Sequence, residues 1–211
     1  MTADHKIHKK DPHYQQAKRE RYRARSAYKL LEIQKKFEIF KRAFYILDLG
    51  CAPGSWLQVS KKFAEDNLTK YKDQYYHRDH YVILGVDIKK VSKIENVQFL
   101  QNDFTKPEFH THLESYFQTK IDLILSDASI NKTGNNFSDH LRQINLCLKI
   151  LELAEAHLKF KGSLVMKIFQ GADFKKMFEK AKSVFRILKA FKPQSSKKTS
   201  NEIYLVGLQK K

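Results

Sequence analysis

Short apolar runs recur along this chain, most of them closed by an acidic corner and followed by a stretch with helical spacing. Phe44-Tyr-Ile-Leu-Asp-Leu runs directly into Gly50-Cys-Ala-Pro-Gly54. Tyr81-Val-Ile-Leu-Gly-Val ends on Asp87, Val97-Gln-Phe-Leu is followed by Asp103, and Ile121-Asp-Leu-Ile-Leu-Ser ends on Asp127. Ser163-Leu-Val-Met-Lys-Ile-Phe is a fifth run. Strands this apolar on both faces must be covered on both sides, which is the condition of a parallel sheet. Between them, helices are predicted over Ser26–Phe40, Trp56–Asn67, Asp139–Phe160 and Phe174–Ser183. In the first, Ala27, Leu30, Leu31, Ile33 and Phe37 form the stripe and Ser26 the N-cap. Val184–Phe191 and Glu202–Leu208 are predicted to close the sheet as a strand pair. Residues 1–24 read as a polar extension, and Thr69–His80 as a Tyr-rich loop. The pattern predicts an α/β fold with helices on both faces of the sheet. Ligands of such sheets sit at the carboxyl ends of the strands, near the switch point.

The chain's 211 residues suffice for one core of ordinary size. A single domain over 25–211 behind a basic extension, 1–24, is therefore expected. Two cysteines, Cys51 and Cys147, exclude a disulfide framework and a Cys-rich zinc site. No apolar run approaches the ~20 residues that cross a bilayer, and the first ten residues lack the apolar core of a secretion signal. The expectation is a soluble intracellular protein with no membrane partner.

The formal net charge is +17, and it is unevenly placed. Residues 1–42 carry a surplus of eight basic residues and 159–211 a surplus of eleven, whereas 43–158 are slightly acidic. Folded onto one face, the two ends would form a polyanion footprint; a lysine-rich surface without a partner is the plain alternative. Arg19, Arg21, Arg23 and Arg25 alternate around Tyr22, a pattern suited to phosphate forks and base stacking. Lys197 and Lys198 are the matching candidates at the other end.

The Asp48–Trp56 segment is a strand, a turn and a helix start. Gly50 and Gly54 allow close backbone approach, and Pro53 shapes the turn. It lacks the G-x-G-x-x-G spacing that seats a pyrophosphate, and Asp48 adds an acid beside the turn. An acid suits a cationic ligand. S-adenosylmethionine carries a sulfonium and an ammonium and no phosphate. Asp87 would accept from ribose hydroxyls, Asp103 from the adenine amine, and Asp127 would lie beside the methyl group. One Asp after a strand is ordinarily a turn former; four at successive strand ends weaken that reading. A nicotinamide oxidoreductase would also use Asp87, but the turn argues against it. Lys167 interrupts an otherwise apolar strand, and lysine is rarely buried without a partner. Asp127, on the neighbouring strand, is the candidate; a lysine snorkelling at a strand end is the alternative.

The sequence resembles the FtsJ (RrmJ-type) family of RNA ribose 2′-O-methyltransferases. The matching residues are Arg25-Ser-Ala-Tyr-Lys-Leu-Leu-Glu, Asp48-Leu-Gly-Cys-Ala-Pro-Gly-Ser-Trp, Gly85-Val-Asp, Asn102-Asp-Phe, Leu125-Ser-Asp, Val165-Met-Lys-Ile-Phe-Gln-Gly, and Lys192-Pro-Gln-Ser-Ser with Asn201-Glu-Ile-Tyr. They run in family order from about Asp11 to Leu208. The resemblance implies a Rossmann-like class I methyltransferase fold, with a mostly parallel seven-stranded sheet and one antiparallel strand. It implies a catalytic tetrad of Lys29, Asp127, Lys167 and Glu202, and cofactor contacts at Gly54, Trp56, Asp87, Asp103 and Asp127. Spacing alone selects neither Lys29 nor Glu202. Ala128-Ser-Ile-Asn131 replaces the family's Met-Ala-Pro-Asn, and Ser55 stands where a second glycine is usual.

The implied reaction moves a methyl group from S-adenosylmethionine to a 2′-hydroxyl of ribosomal RNA, a large-subunit uridine, leaving S-adenosylhomocysteine. Lys167 is either the general base or, protonated, a stabiliser of the attacking oxygen. No metal is required, because the leaving group departs neutral. The His77/His80 and His110/His112 pairs read as surface residues. A transfer-RNA methyltransferase of the same fold and a non-catalytic RNA-binding assembly factor are the rival functions. A monomer acting on rRNA in the large subunit or its precursor is expected, in the cytoplasm, with the mitochondrion and nucleolus as alternative compartments.

Overall fold

The computed structural model describes residues 11–71, 79–131, 133–171 and 173–211. Its seven strands are β1 (Tyr45–Leu49), β2 (Val82–Asp87), β3 (Gln98–Gln101), β4 (Ile121–Ser126), β5 (Leu158–Phe169), β6 (Phe185–Phe191) and β7 (Glu202–Lys210). Six helices lie among the described residues: α1 (Pro12–Arg19), α2 (Ala27–Phe37), α3 (Ser55–Lys70), α4 (Phe109–Phe117), α5 (Asn136–His157) and α6 (Phe174–Val184). The sheet order is β3-β2-β1-β4-β5-β7-β6. β7 runs antiparallel to both its neighbours, and the other pairings are parallel. The order reverses at β1, between β2 and β4, which creates the crevice at the strand tips.

Alternation along each strand sorts its side chains onto two cores. Leu47, Leu49, Ile124, Leu164, Met166 and Ile168 face α4, α5 and α6. Ile46, Leu123, Leu125, Val165, Tyr204 and Val206 face α2 and α3. No helix among the described residues is long and apolar enough to cross a membrane. Both cysteines are buried and free.

Four local expectations change. The extension contains α1, which starts with Pro12 at its first turn and Asp11 as N-cap, accepting from the main-chain N–H of His13 and Tyr14. α4 fills a stretch given no element, burying Phe109, Leu113 and Phe117 at helical spacing. α3 continues to Lys70, so Thr69 and Lys70 are helical rather than loop; residues 72–78 of that loop lie outside the described residues. The long helix stops at His157, and β5 starts at Leu158 rather than Ser163. The strand absorbs the extra length through a register shift against β4 between Ile121 and Leu123.

Candidate active site

The alternation that builds the core also delivers the tetrad. Asp127 and Lys167 each lie two residues beyond a side chain on the α2 face, Leu125 and Val165. Glu202 lies two residues before Tyr204, on that same face. All three side chains therefore emerge on one side of the sheet, over which α2 carries Lys29. Lys167 Nζ is 3.2 Å from Asp127 Oδ1 and donates to the Asp127 main-chain oxygen at 2.6 Å. Lys29 Nζ is hydrogen-bonded to Glu202 Oε1 in a largely buried ion pair. The four residues thus form two ion pairs.

Tyr204 links them, a role that reasoning from sequence did not assign. Its hydroxyl donates to Asp127 Oδ1 at 2.6 Å, and Lys29 Nζ stands 5.8 Å from its ring centroid. The ring is fully buried and packs against Trp56, centroids 5.7 Å apart. Tyr204 pairs directly with Lys167 across β5 and β7, a register that only the folded sheet reveals. Burial, then the Asp127 charge, drives the Tyr204 hydroxyl well above the usual phenol range, so it stays a donor. Burial works to raise the Glu202 carboxyl, but the hydrogen bond and charge of Lys29, helped by Lys167, hold it below the ordinary glutamate range.

Against this cluster opens a cleft of about 800 Å³, bounded by Gly50, Ala52, Asp87, Asp103, Asp127 and Ala128 among others. That is the size range of sites for nucleoside-sized ligands. Asp87 accepts from the N–H of Ala52 and of Lys89, both at 2.8 Å, which fixes its carboxylate at the rim. Asp103 Oδ1 accepts from the Thr105 hydroxyl at 2.6 Å and its N–H at 3.0 Å. The hydroxyl bond is the main cause that holds the Asp103 carboxyl below its usual range. Asp48 is almost wholly buried, and its Oδ2 has no hydrogen-bond partner. Burial first, then the charges of Asp127 and Asp87, push its carboxyl well above the normal range. Asp48, an expected cofactor contact, is not among the residues that line the cleft; a buried, unpartnered acid oxygen near the Asp87 and Asp127 carboxylates opposes a phosphate there. The acceptor carboxylates of Asp87, Asp103 and Asp127 on the lining match the hydroxyl and amine donors of S-adenosylmethionine.

Other expected cofactor contacts occupy different places. Trp56 is 2% exposed and donates its indole N–H to Ser26 O at 2.8 Å. It braces the cluster from below rather than lining the cleft. Gly54, at φ +103°, makes room for protein: a Cβ there would come 2.8 Å from Arg23 Nη1. The Pro53 carbonyl accepts from the same guanidinium at 3.2 Å. Gly50 does line the cleft, and a Cβ on it would meet the Ala128 Cβ at 2.5 Å, so it permits the β1 and β4 connections to touch.

The arginine quartet divides. Arg23 donates to the carbonyls of Ser92 at 2.8 Å and Lys93 at 3.0 Å as well as Pro53. Arg25 bridges the Asp11 carboxylate and the Ser195 carbonyl, the latter at 2.6 Å. Tyr22 packs edge-on against Tyr28, centroids 5.9 Å apart. Arg23, Arg25 and Tyr22, expected among the residues that face a nucleic acid, each have partners within the protein. Arg19 and Arg21 remain exposed, as do Lys197 and Lys198. Arg25 also ties the N-terminal region to the β6–β7 connection, and Glu32 accepts from the N–H of Gln194 and Ser195 at 2.6 and 2.9 Å. The two basic ends of the chain are thereby in contact.

The histidine reading needs one correction as well. His112 and His80 are exposed, but His110 is half-buried and shares a 2.9 Å hydrogen bond with buried His157; His77 lies outside the described residues.

Residues 22–210 match the family model of the FtsJ-like methyltransferases. A Rickettsia akari protein named ribosomal RNA large subunit methyltransferase E is 38% identical over 203 residues, covering 95% of this chain and 85% of that protein. The crystal structure of a Plasmodium falciparum protein assigned as a ribosomal RNA methyltransferase superposes with a TM-score of 0.73 at 33% identity, over 90% of this chain and 98% of that one. Fibrillarin of Aeropyrum pernix, solved with bound S-adenosyl-L-methionine, shares the fold at 15% identity and a TM-score of 0.55, over 87% of this chain and 76% of its own.

Proposed function

Because the chain belongs to the FtsJ-like methyltransferase family, we propose that it methylates a ribose 2′-hydroxyl of large-subunit ribosomal RNA, at a uridine, using S-adenosylmethionine. The observation that carries the reading is the Lys167–Asp127 pair at adjacent strand tips, of which Asp127 lines the cleft together with Asp87 and Asp103. Bound there, the cofactor supplies an electrophilic methyl group on a sulfonium.

Asp87 and Asp103 hold the nucleoside portion of the cofactor, and Asp48 answers its positive charge. Lys167 meets the ribose hydroxyl. As a neutral amine it takes the proton while the new C–O bond forms and the S–C bond breaks; as an ammonium it stabilises negative charge on the attacking oxygen. Either role is worth roughly 10²–10⁴-fold in rate. Asp127, fixed by Tyr204 and by its own carbonyl's contact with Lys167, orients that amine. The Lys29–Glu202 pair supplies a second cation beneath the substrate. Arg19, Arg21, Lys197 and Lys198 offer phosphate contacts on the joined basic ends. No metal enters this scheme.

The test is transfer of labelled methyl to ribosomal RNA, transfer RNA and intact large subunits, with mapping of the product. A 2′-O-methyl ribose in large-subunit RNA, formed equally in EDTA, is expected. Exclusive labelling of transfer RNA would redirect the substrate assignment, and methylation on a base would overturn the ribose chemistry.

A further inference from the structure

A second, smaller cavity of about 180 Å³ shares Ser129 and Ile130 with the larger cleft. Ser129, two residues after Asp127, and Phe169, two residues after Lys167, form its near edge. Two residues of extended chain span ~7 Å, about the reach from a ribose hydroxyl across its sugar to the base. Ile130 and Ile144 complete apolar walls, and α5 supplies three polar residues: His140, Gln143, and Asp139, whose carboxylate is engaged by the Thr133 N–H and hydroxyl and the Gly134 N–H. At ~30 Å³ per water the space holds about six waters, enough for one flat ring and too little for a second nucleoside.

His140 and Gln143 are held in defined orientations. His140 Nε2 lies 2.7 Å from Asp173 Oδ2. A carboxylate only accepts, so Nε2 carries the proton and, in the neutral ring, Nδ1 is left as an acceptor. A Cβ on Gly171 would stand 3.3 Å from His140 Cε1 and 3.7 Å from Nδ1, so glycine there keeps that edge of the ring uncrowded. Gln143 is 4% exposed, and its Oε1 accepts from Ile130 N–H at 3.1 Å, which fixes the amide. Its Nε2 reaches Cys147 Sγ only at 3.8 Å and retains donor capacity. An acceptor beside a donor complements a ring with adjacent N–H and carbonyl groups. Uracil presents that edge. Cytosine offers an unprotonated nitrogen there, and the purines are bicyclic.

We propose that this cavity receives the base of the nucleotide being methylated and reads it as uracil through His140 and Gln143. The inference rests on the ribose-methylation reading above and adds the residues that select the acceptor. His140 Nδ1 accepts from the ring N–H, Gln143 Nε2 donates to the neighbouring carbonyl, and Ile130, Ile144 and Phe169 enclose the ring.

The experiment compares kcat/KM on large-subunit ribosomal RNA carrying uridine or cytidine at the acceptor position. Wild type should favour uridine by about tenfold or more, the worth of a hydrogen bond that one base makes and the other does not. His140→Ala and Gln143→Glu, the latter keeping the Oε1 acceptor and removing the donor, should each lose about tenfold on uridine and bring the two substrates together. S-adenosylhomocysteine affinity should stay within about twofold, which reports a folded cleft. Undiminished discrimination in both variants, or none in wild type, overturns the inference. Should the variants fail to fold, histidine NMR of the wild-type protein decides. Uridine 5′-monophosphate should shift the His140 resonances and ribose 5-phosphate should not; equal or absent responses overturn the proposal. If no RNA accepts a methyl group, the ribose reading falls by its own assay, and the NMR comparison still judges the cavity.

Discussion

Lys167 Nζ donates to the main-chain oxygen of Asp127 at 2.6 Å while standing 3.2 Å from the same residue's carboxylate. One residue therefore grips the amine by backbone and side chain together. The main-chain contact belongs to the strand tip and does not depend on the carboxylate's charge. Replacing Lys167 by alanine removes the group that meets the substrate and leaves Asp48, Asp87 and Asp103 untouched. Turnover should fall ~10²–10⁴-fold, with S-adenosylhomocysteine affinity within about twofold by calorimetry. A parallel loss of cofactor affinity would assign Lys167 to binding instead.

Glu202 neutralises a buried Lys29. Glu202→Ala strands that cation and should cost ~3–5 kcal/mol in urea denaturation; Lys29→Met with Glu202→Leu should cost less than Glu202→Ala alone. Because the folded-state carboxyl titrates below its unfolded value, its stabilisation is present above about pH 4.5 and is lost as pH falls through the lower folded value. Glu202→Gln should remove that part of the acid slope.

Asp48 holds its proton to higher pH than a free carboxyl, through burial and then the Asp127 and Asp87 charges. A cation bound in the cleft favours the ionised form through its charge. S-adenosylmethionine binding should therefore release protons and tighten as pH rises. Calorimetry in buffers of different ionisation enthalpy measures this directly, and Asp48→Asn should abolish the release.

His157 titrates at about 4, lowered by burial and then by His110 and Lys120. The unfolded imidazole, near 6.5, binds protons that the folded one refuses. Stability is complete above about pH 6.5 and declines as pH falls toward 4. Urea midpoints across that window should show the decline, and His157→Gln should flatten it.

The joined basic ends predict a steep ionic response. With the four phosphate contacts of Arg19, Arg21, Lys197 and Lys198, RNA affinity should fall by ~10² between 50 and 200 mM salt. Reversing Lys197 and Lys198 to glutamate should weaken binding and shallow that slope. Reversing Arg23 should instead lower thermal stability, since it is bonded to Pro53, Ser92 and Lys93.

Much of the architecture follows from local pattern. Apolar runs of strand length, several of them followed by a helical stripe, specify a covered parallel sheet. A side-chain period of two then decides that Asp127 and Lys167 leave their strands on the same face. α4 was legible too, since Phe109, Leu113 and Phe117 hold helical spacing. α1 was not, because it buries only Ala17 and shows almost no apolar stripe.

What only the tertiary structure decided are relationships between groups far apart in the chain. Lys29 and Glu202 are 173 residues apart, and Arg25 reaches Ser195 across 170. Residue type and spacing say that such a charge needs a partner, because burying it alone is costly. They do not say which partner, since that depends on how α2 lies over the finished sheet. The same limit explains Arg23 and Arg25: a guanidinium that forks onto phosphate also forks onto carbonyl oxygens, and only the fold, which brings Pro53, Ser92 and Lys93 to the one and Asp11 and Ser195 to the other, selects which.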